Sequence, residues 1–236
     1  MIMTETLTET LQEGIRLFNL KRWDMALRVF LQLHTDTNEE DSKVTSELAY
    51  YLGLCYTKLG RFDDALLYLE QVVNAESNVL RVYQCRLTLA YIYVITERTK
   101  MAEFELGRLS EIGFESVQLY TILAYSACSE QQYRKAVELY AKALQLDNNN
   151  STAMNGLGYI LADTAMNVQQ GLIFCKKAVD LNPENAAYLD SLGWAYFKNG
   201  DAAEARNWLR RALGIATLAS QQKEIRNHIR IVAGGS

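Results

Sequence analysis

The stretch AAYLDSLGWAYFKNGDAAEARNWLRRAL, residues 186–213, decides the fold of this chain. It joins two amphipathic segments across the turn KNGD. In the first segment Tyr196 follows the small Gly193 by three positions, and in the second Leu209 follows Ala205 by four. Apolar residues that recur three and four positions apart indicate one face of an α-helix. The stretch therefore predicts two helices that fold back on each other as a hairpin.

A pair of small residues twelve positions apart recurs along the chain. Two antiparallel helices approach closely where small side chains face each other and larger ones fill the space on either side. The first members of successive pairs lie 39, 37, 34, 34 and 35 residues apart. Such a period predicts stacked hairpins, each burying the apolar face of its neighbour. The pairs are Gly14 with Ala26, Gly53 with Ala65, Ala90 with Ala102, Ala124 with Ala136, Gly158 with Gly171 at thirteen positions, and Gly193 with Ala205.

These pairs and their flanking residues make the chain resemble a tetratricopeptide repeat protein. The resemblance implies an all-α fold, a right-handed superhelical α-solenoid of six helical hairpins in a single domain over 1–236. Ile225, Ile229 and Val232 lie at helical spacing after the last repeat and predict a capping helix. The matching positions are Leu52, Gly53, Tyr56, Gly60 and Ala65, then Leu192, Gly193, Tyr196, Gly200 and Ala205, with Pro183 where the family closes a repeat. The repeats are expected at about 7–40, 46–79, 83–116, 117–150, 151–185 and 186–219, and the capping helix at about 220–232.

The chain departs from the family pattern in three places. The first repeat has Glu13 where an apolar residue is usual, and the third has Thr96–Lys100 in place of a turn with glycine. The fifth carries one extra residue within DTAMNVQQG. Two connections are also long: the acidic segment HTDTNEEDSKVTSE, residues 34–47, is expected to be an exposed loop, and NAESNV, residues 74–79, adds about three residues.

Composition and charge argue against several classes of protein. The net charge of −4 gives no electrostatic basis for binding nucleic acid, which usually requires a basic excess. The first residues, MIMTETLTETLQEG, lack the basic and apolar regions of a secretory signal, and no apolar run is long enough to span a membrane. We therefore expect a soluble, cytoplasmic protein without a membrane partner.

No catalytic or metal-binding motif is present in the sequence. The four cysteines lie at least 30 residues apart, without the CxxC or Cys/His spacing of a metal site. His34 and His228 lack a partner at recognisable spacing, so each is interpreted as solvated or packed. The sequence has no P-loop, GxGxxG or GxSxG motif. We expect no enzyme activity, no cofactor, no metal and no small-molecule substrate.

The candidate binding residues lie in the first helix of each hairpin. In the family these helices line a concave surface, and the residue after the small one points into it. Tyrosine and tryptophan suit such a surface because they give large contact area with few rotors to freeze. The partner-binding candidates, from that position and from one turn earlier, are Tyr50, Leu54, Tyr91, Tyr125, Asn155, Tyr159, Asp190 and Trp194. The alternative is that these rings pack against the adjacent repeat as core.

Two functions remain open from the sequence. The first is a binding module, an adaptor or scaffold that holds a protein, peptide or helix in the concave groove. The second is a structural subunit of a larger assembly, or a homo-oligomer, that acts through the convex face or the capping helix. The lysine, asparagine and arginine clamp with which some family members bind acidic chaperone tails is absent, since those positions hold Leu11, Ile15, Tyr50, Leu54, Leu87 and Thr88.

Overall fold

The computed structural model describes residues 2–36, 42–75 and 78–234. These residues form thirteen α-helices and no strand, so the predicted all-α repeat fold is confirmed. The chain divides into two compact units, Met1–Gly113 and Phe114–Ser236. The expectation of one continuous domain stays a prediction.

Unit 1 contains three antiparallel hairpins, each made of two consecutive helices. The order along the chain is α1 (Ile2–Asn19) with α2 (Trp23–Asp36), α3 (Ser42–Lys58) with α4 (Phe62–Ala75), and α5 (Val79–Ile95) with α6 (Thr99–Glu111). Unit 2 contains three more hairpins and one further helix. They are α7 (Val117–Ser129) with α8 (Tyr133–Leu146), α9 (Ser151–Asp163) with α10 (Val168–Leu181), α11 (Ala186–Lys198) with α12 (Ala202–Ile215), and α13 (Ala219–Val232).

The small residues lie where the two helices of each hairpin touch. All twelve members of the six predicted pairs are buried. A Cβ atom added to Gly53 would lie 2.7 Å from Cγ of Leu69, and one added to Gly193 would lie 2.7 Å from Cγ of Leu209. Each of these glycines therefore makes room for a leucine of the partner helix, as the sequence predicts.

Each hairpin turn contains one residue in the left-handed region of the backbone. These residues are 39, 37, 34, 34 and 35 positions apart, the same period as the small residues. Only two of the six are glycine, although glycine adopts this conformation most readily. They are Lys21 (φ 58°), Gly60 (φ 72°), Glu97 (φ 59°), Gln131 (φ 60°), Ala165 (φ 56°) and Gly200 (φ 89°). The turn geometry is thus preserved in the third hairpin, where Glu97 replaces the expected glycine.

The extra residue of the fifth repeat lies in the turn between α9 and α10. In the other five hairpins, the residue after the left-handed one donates its N–H to a carbonyl five positions earlier. Here Asn167 donates to the carbonyl of Leu161, six positions earlier, at 3.1 Å. Met166 is the inserted residue, and its side chain is exposed. The extra residue therefore lengthens the turn and leaves the register in which α9 packs against α10 unchanged.

Polar side chains mark where the first helices of the later repeats begin. Asn78, Ser116, Asn150 and Asn185 each precede a helix and accept N–H groups from its first turn. Such N-caps satisfy donors that have no partner within the helix. These N-caps set the first residue of α5, α7, α9 and α11, which are the first helices of the third to sixth hairpins.

The predicted exposed loop over 34–47 is wrong for the residues that the structure describes, because α2 extends to Asp36 and α3 begins at Ser42. Residues 37–41 lie outside the described part of the chain, as do residues 76–77 of the second long connection. Helix α3 begins at Ser42, so residues 42–47 are helical rather than loop. The polar residues of this stretch suggested a loop, but serine and threonine are also favoured where a helix begins.

The predicted capping helix is present as α13. Its buried Ile225, His228 and Val232 face α11 and α12 of the last hairpin. Ile225 joins the apolar cluster that includes Leu189 and Ala212. Helix α13 thus packs as the first helix of a seventh repeat would, and it covers the apolar end of unit 2.

Candidate functional site

The first-helix face is defined here as the positions just after the small residue of each first helix, together with those one turn earlier. The predicted partner-binding residues on it divide between the two units. Tyr50, Leu54 and Tyr91 belong to unit 1, and Tyr125, Asn155, Tyr159, Asp190 and Trp194 belong to unit 2.

In unit 1 the three candidates differ in how much of each side chain is buried or already bonded within the chain. The Tyr50 hydroxyl donates a hydrogen bond of 2.7 Å to Oε1 of Gln84, and the Arg81 guanidinium lies 5.1 Å from its ring centroid. Burial raises the pKa of Tyr50 to about 12. Leu54 is half-buried, whereas Tyr91 is 42% exposed. Tyr91 is therefore the unit 1 candidate with the most contact area to offer.

In unit 2 the open part of the first-helix face lies on α7 and α9. The side chain of Tyr125 is 46% exposed, and Tyr159 is half-buried. Asn155 lies one turn before Tyr159 on α9, and its Oδ1 atom is buried without a hydrogen-bond partner among the described residues. A buried acceptor without a donor is costly, so its presence here requires a physical reason.

The other two candidates of unit 2, Asp190 and Trp194, are covered by α13. Only 6% of Asp190 and 7% of Trp194 is exposed. Nδ1 of His228 lies 2.9 and 3.0 Å from the two Asp190 carboxylate oxygens, and the His228 and Trp194 rings stack at 4.3 Å. Trp194 Nε1 also donates a hydrogen bond of 2.9 Å to Asp163. The expected open positions are thus closed by the chain itself, because α13 takes the place of a further first helix.

The role of His228 was missed by the sequence interpretation, which left it as either solvated or packed. A signal was available, because His228 lies three residues after Ile225 and four before Val232. That spacing places it on the apolar face of α13. A histidine on a buried helix face needs a polar partner, and Asp190 supplies it.

Several carboxylates of unit 2 act on the pKa values of Tyr159 and of residues on α13. Burial raises the pKa of Tyr159, and the charges of Asp163, Glu224 and Asp190 raise it further. Burial and the charge of Asp190 raise the pKa of Glu224, although His228 partly offsets them. Burial lowers the pKa of His228, but its hydrogen bond to Asp190 and the surrounding carboxylates raise it above its ordinary value overall.

Among the described residues, Asp190, Glu224 and His228 bring three possible metal-ligand atoms within 4.8 Å of one another. The Nδ1–H of His228 already donates to Asp190, so the hydrogen bond satisfies both groups without a metal. The absence of a metal or cofactor stays a prediction.

The cysteines are packed within the helices as small hydrophobic residues. All four are free, and three of them are buried. Burial raises the pKa of Cys55 and Cys175 to about 12, which keeps both as unreactive thiols at neutral pH.

Three family models match this chain, and each describes a tetratricopeptide repeat. They match residues 47–78, 117–150 and 174–220. A TPR repeat-containing protein of Pseudomonas aeruginosa is 42% identical over 65 residues, which is 28% of this chain and 11% of that protein. The chain thus spans about a tenth of the length of that relative.

Two solved structures share the fold over nearly the whole chain. One is the APC/C hetero-tetramer Cut9–Hcn1, with a TM-score of 0.74 and 14% identity over 96% of this chain and 42% of that one. The other is a tetratricopeptide repeat protein from Parabacteroides merdae, with a TM-score of 0.72 and 10% identity over 96% of this chain and 84% of that one. At these identities the similarity is one of fold.

Tetratricopeptide repeats generally mediate interactions between proteins, and the fold is typically a non-catalytic scaffold. None of the helices in the described ranges combines the length and apolar character that crossing a membrane requires.

Proposed function

Since this chain is a tetratricopeptide repeat protein, we propose that it acts as a non-catalytic adaptor or scaffold that holds a peptide segment of another protein. The segment lies against the part of the first-helix face that belongs to unit 2, where it contacts Tyr125, Asn155 and Tyr159. Asp190 and Trp194 have a different role, since they anchor α13.

The observation that carries this proposal is the exposed ring of Tyr125 on α7, with the half-buried ring of Tyr159 at the same position of the next first helix, α9. Tyr125 is 46% exposed, more than a core ring would be. Asn155 lies one turn before Tyr159 and is half-buried, so part of its side chain faces the proposed segment. Tyr91 offers a similarly exposed ring in unit 1.

The test uses a random twelve-residue peptide library displayed on phage, selected on the full chain. We expect enrichment of peptides whose affinity, measured by fluorescence anisotropy, falls at least about tenfold in the double variant Tyr125→Ala, Tyr159→Ala. Tyr159→Phe keeps the ring packing and should retain binding. The matched control is Leu146→Ala, Ile173→Ala, which truncates two exposed side chains on the second helices of the same hairpins.

Two results would contradict the proposal. One is that no peptide is enriched on the folded wild-type chain. The other is that the tyrosine variant unfolds while Tyr159→Phe and the control stay folded, because the rings would then be core.

The second candidate is a structural subunit or homo-oligomer. It would act through apolar side chains of the second helices, of which Leu67 and Phe104 in unit 1 and Ile173 in unit 2 are each more than half exposed. Light scattering over a concentration series separates the two functions. A stable oligomer supports the structural role, and a monomer supports the adaptor.

A further inference from the structure

The last two helices of unit 2 carry a surplus of positive charge. Residues 206–230 contain six lysine and arginine residues and one carboxylate, Glu224, in a chain whose net charge is −4. Five of these six cations are defined here as the basic edge. Four of the five are exposed and the first is half-buried; they are Arg206, Arg210, Lys223, Arg226 and Arg230.

The sixth cation, Arg211, shows what a paired arginine looks like in the same helix. It lies 3.1 Å from Glu184 and donates to the carbonyl oxygen of Pro183 at 2.9 Å. No side-chain nitrogen of the basic edge has a carboxylate oxygen within 4.0 Å among the described residues. Arg226 and Arg230 donate to neutral side-chain amides of α13. The charges of the basic edge are therefore not compensated within the described part of the chain.

The basic edge borders the contact between α12 and α13. Ala202 of α12 and Ile229 of α13 pack against the same apolar cluster at this contact. Arg206 lies one turn after Ala202, and Arg226 lies three residues before Ile229. Residues three or four positions apart are neighbours on the surface of a helix. The cations of α12 and those of α13 thus lie on either side of one contact and make one positive surface.

Helix stability does not account for these positions. Arg206 and Arg210 are four residues apart, as are Arg226 and Arg230, and like charges at this spacing repel each other. The helix dipole favours a cation within the last turn, and Arg230 alone of the basic edge lies there. The basic edge therefore opposes the stability of α12 and α13 more than it supports it.

We propose that the basic edge binds an acidic segment of a second protein, at a surface separate from the first-helix face. Carboxylates of the segment pair with the arginines, because each planar guanidinium presents several donors to a carboxylate at once. This surface adds a second binding site to the proposed scaffold and does not depend on Tyr125 or Tyr159.

Nucleic acid fits the basic edge less well than an acidic protein segment does. A long polyanion meets the net negative charge of the chain, and the basic edge contains no aromatic side chain on which bases could stack. A short acidic segment depends on the local cations alone, since charges more than about 10 Å away are screened at physiological salt.

The test selects twelve-residue peptides displayed on phage that bind the full chain, with counter-selection on a triple variant of α13. That variant is Lys223→Gln, Arg226→Gln, Arg230→Gln, whose three side chains are exposed. The matched control removes the same charge from exposed positions of α8 and is Arg134→Gln, Lys135→Gln, Lys142→Gln. An unchanged melting temperature is required of both variants before binding is measured.

We expect the selected peptides to carry net negative charge and to bind the α13 variant about tenfold more weakly than the wild type at about 50 mM salt. The control should change their affinity less than about twofold, and raising the salt to about 500 mM should narrow the difference between the wild type and the α13 variant. Fluorescence anisotropy of labelled peptides measures each affinity.

Three results would overturn the inference. In the first, no peptide survives the counter-selection, or the survivors are neutral or basic. In the second, the control variant loses as much affinity as the α13 variant. In the third, a labelled twenty-base-pair DNA duplex or phosphatidylserine vesicles bind more tightly than the peptides and lose this binding in the α13 variant. Each result leaves the proposed function standing, because the first-helix face is unchanged in both variants.

Discussion

At the scale of single residues, Gly158 and Gly171 show how closely the helices of a hairpin approach. A Cβ on Gly158 would lie 2.8 Å from both the Gly171 carbonyl oxygen and the Cys175 amide nitrogen. These neighbours are backbone atoms, which cannot move aside as a flexible side chain can. Gly107, in contrast, lies within α6 and has no atom within 4 Å of the position a Cβ would take.

This contrast predicts opposite effects of the same substitution. Gly158→Ala should lower the free energy of unfolding by about 1–3 kcal/mol, because the methyl group forces α9 and α10 apart. Gly107→Ala should raise it by about 0.5–1 kcal/mol, since alanine favours the helix and meets no obstacle. Urea denaturation followed by circular dichroism measures both. Equal effects of the two substitutions would contradict the packing described.

At the scale of elements, α13 determines which part of the first-helix face stays open. It fixes His228 against Asp190 and Trp194, and it leaves Tyr125 on α7 46% exposed. The spacing of Ile225, Ile229 and Val232 predicts this helix from the sequence alone. The sequence could not show that it covers Asp190, because that depends on how α13 docks on α11.

The His228–Asp190 contact gives α13 a pH-dependent contribution to stability. The pKa of His228 is raised in the folded state, so the folded chain binds the proton more tightly than the unfolded chain does. The stabilisation is therefore fully present below the unfolded pKa of about 6.5, and it is lost as pH rises through the folded pKa.

We expect the wild type to melt at a higher temperature than His228→Gln. This difference in melting temperature should be largest at pH 5.5 and should shrink towards pH 8.5. Asp190→Asn should remove the same pH-dependent difference, because it removes the main partner of the imidazolium. Melting curves at four pH values test this. If the melting-temperature difference between the wild type and His228→Gln grows with pH instead, His228 is held in the neutral form in the folded chain.

At the scale of the whole molecule, the repeat period predicted most of the fold. The paired small residues located every hairpin, because only small side chains allow the close helix approach seen at Gly53 and Gly193. The turns were less predictable, since Lys21, Glu97 and Gln131 adopt the left-handed region without being glycine. Packing of the helices on both sides supplies the energy that overcomes this local strain.

The candidate site was predictable only in part. The recurrence of an aromatic residue at the same position of successive repeats identified Tyr91 and Tyr125, and both side chains are exposed in the structure. Whether such a ring is open or covered depends on the next helix in the stack, and Trp194 is covered because α13 follows it. Periodicity locates a position on a helix, but the neighbouring element decides its exposure.

The measurement that tests the account most directly is hydrogen exchange of the full chain, by mass spectrometry, with and without a saturating selected peptide. We expect added protection in α7 and α9, around Tyr125, Asn155 and Tyr159, and unchanged exchange on the second helices α8 and α10. Protection confined to α8 and α10 while the peptide is bound would contradict it.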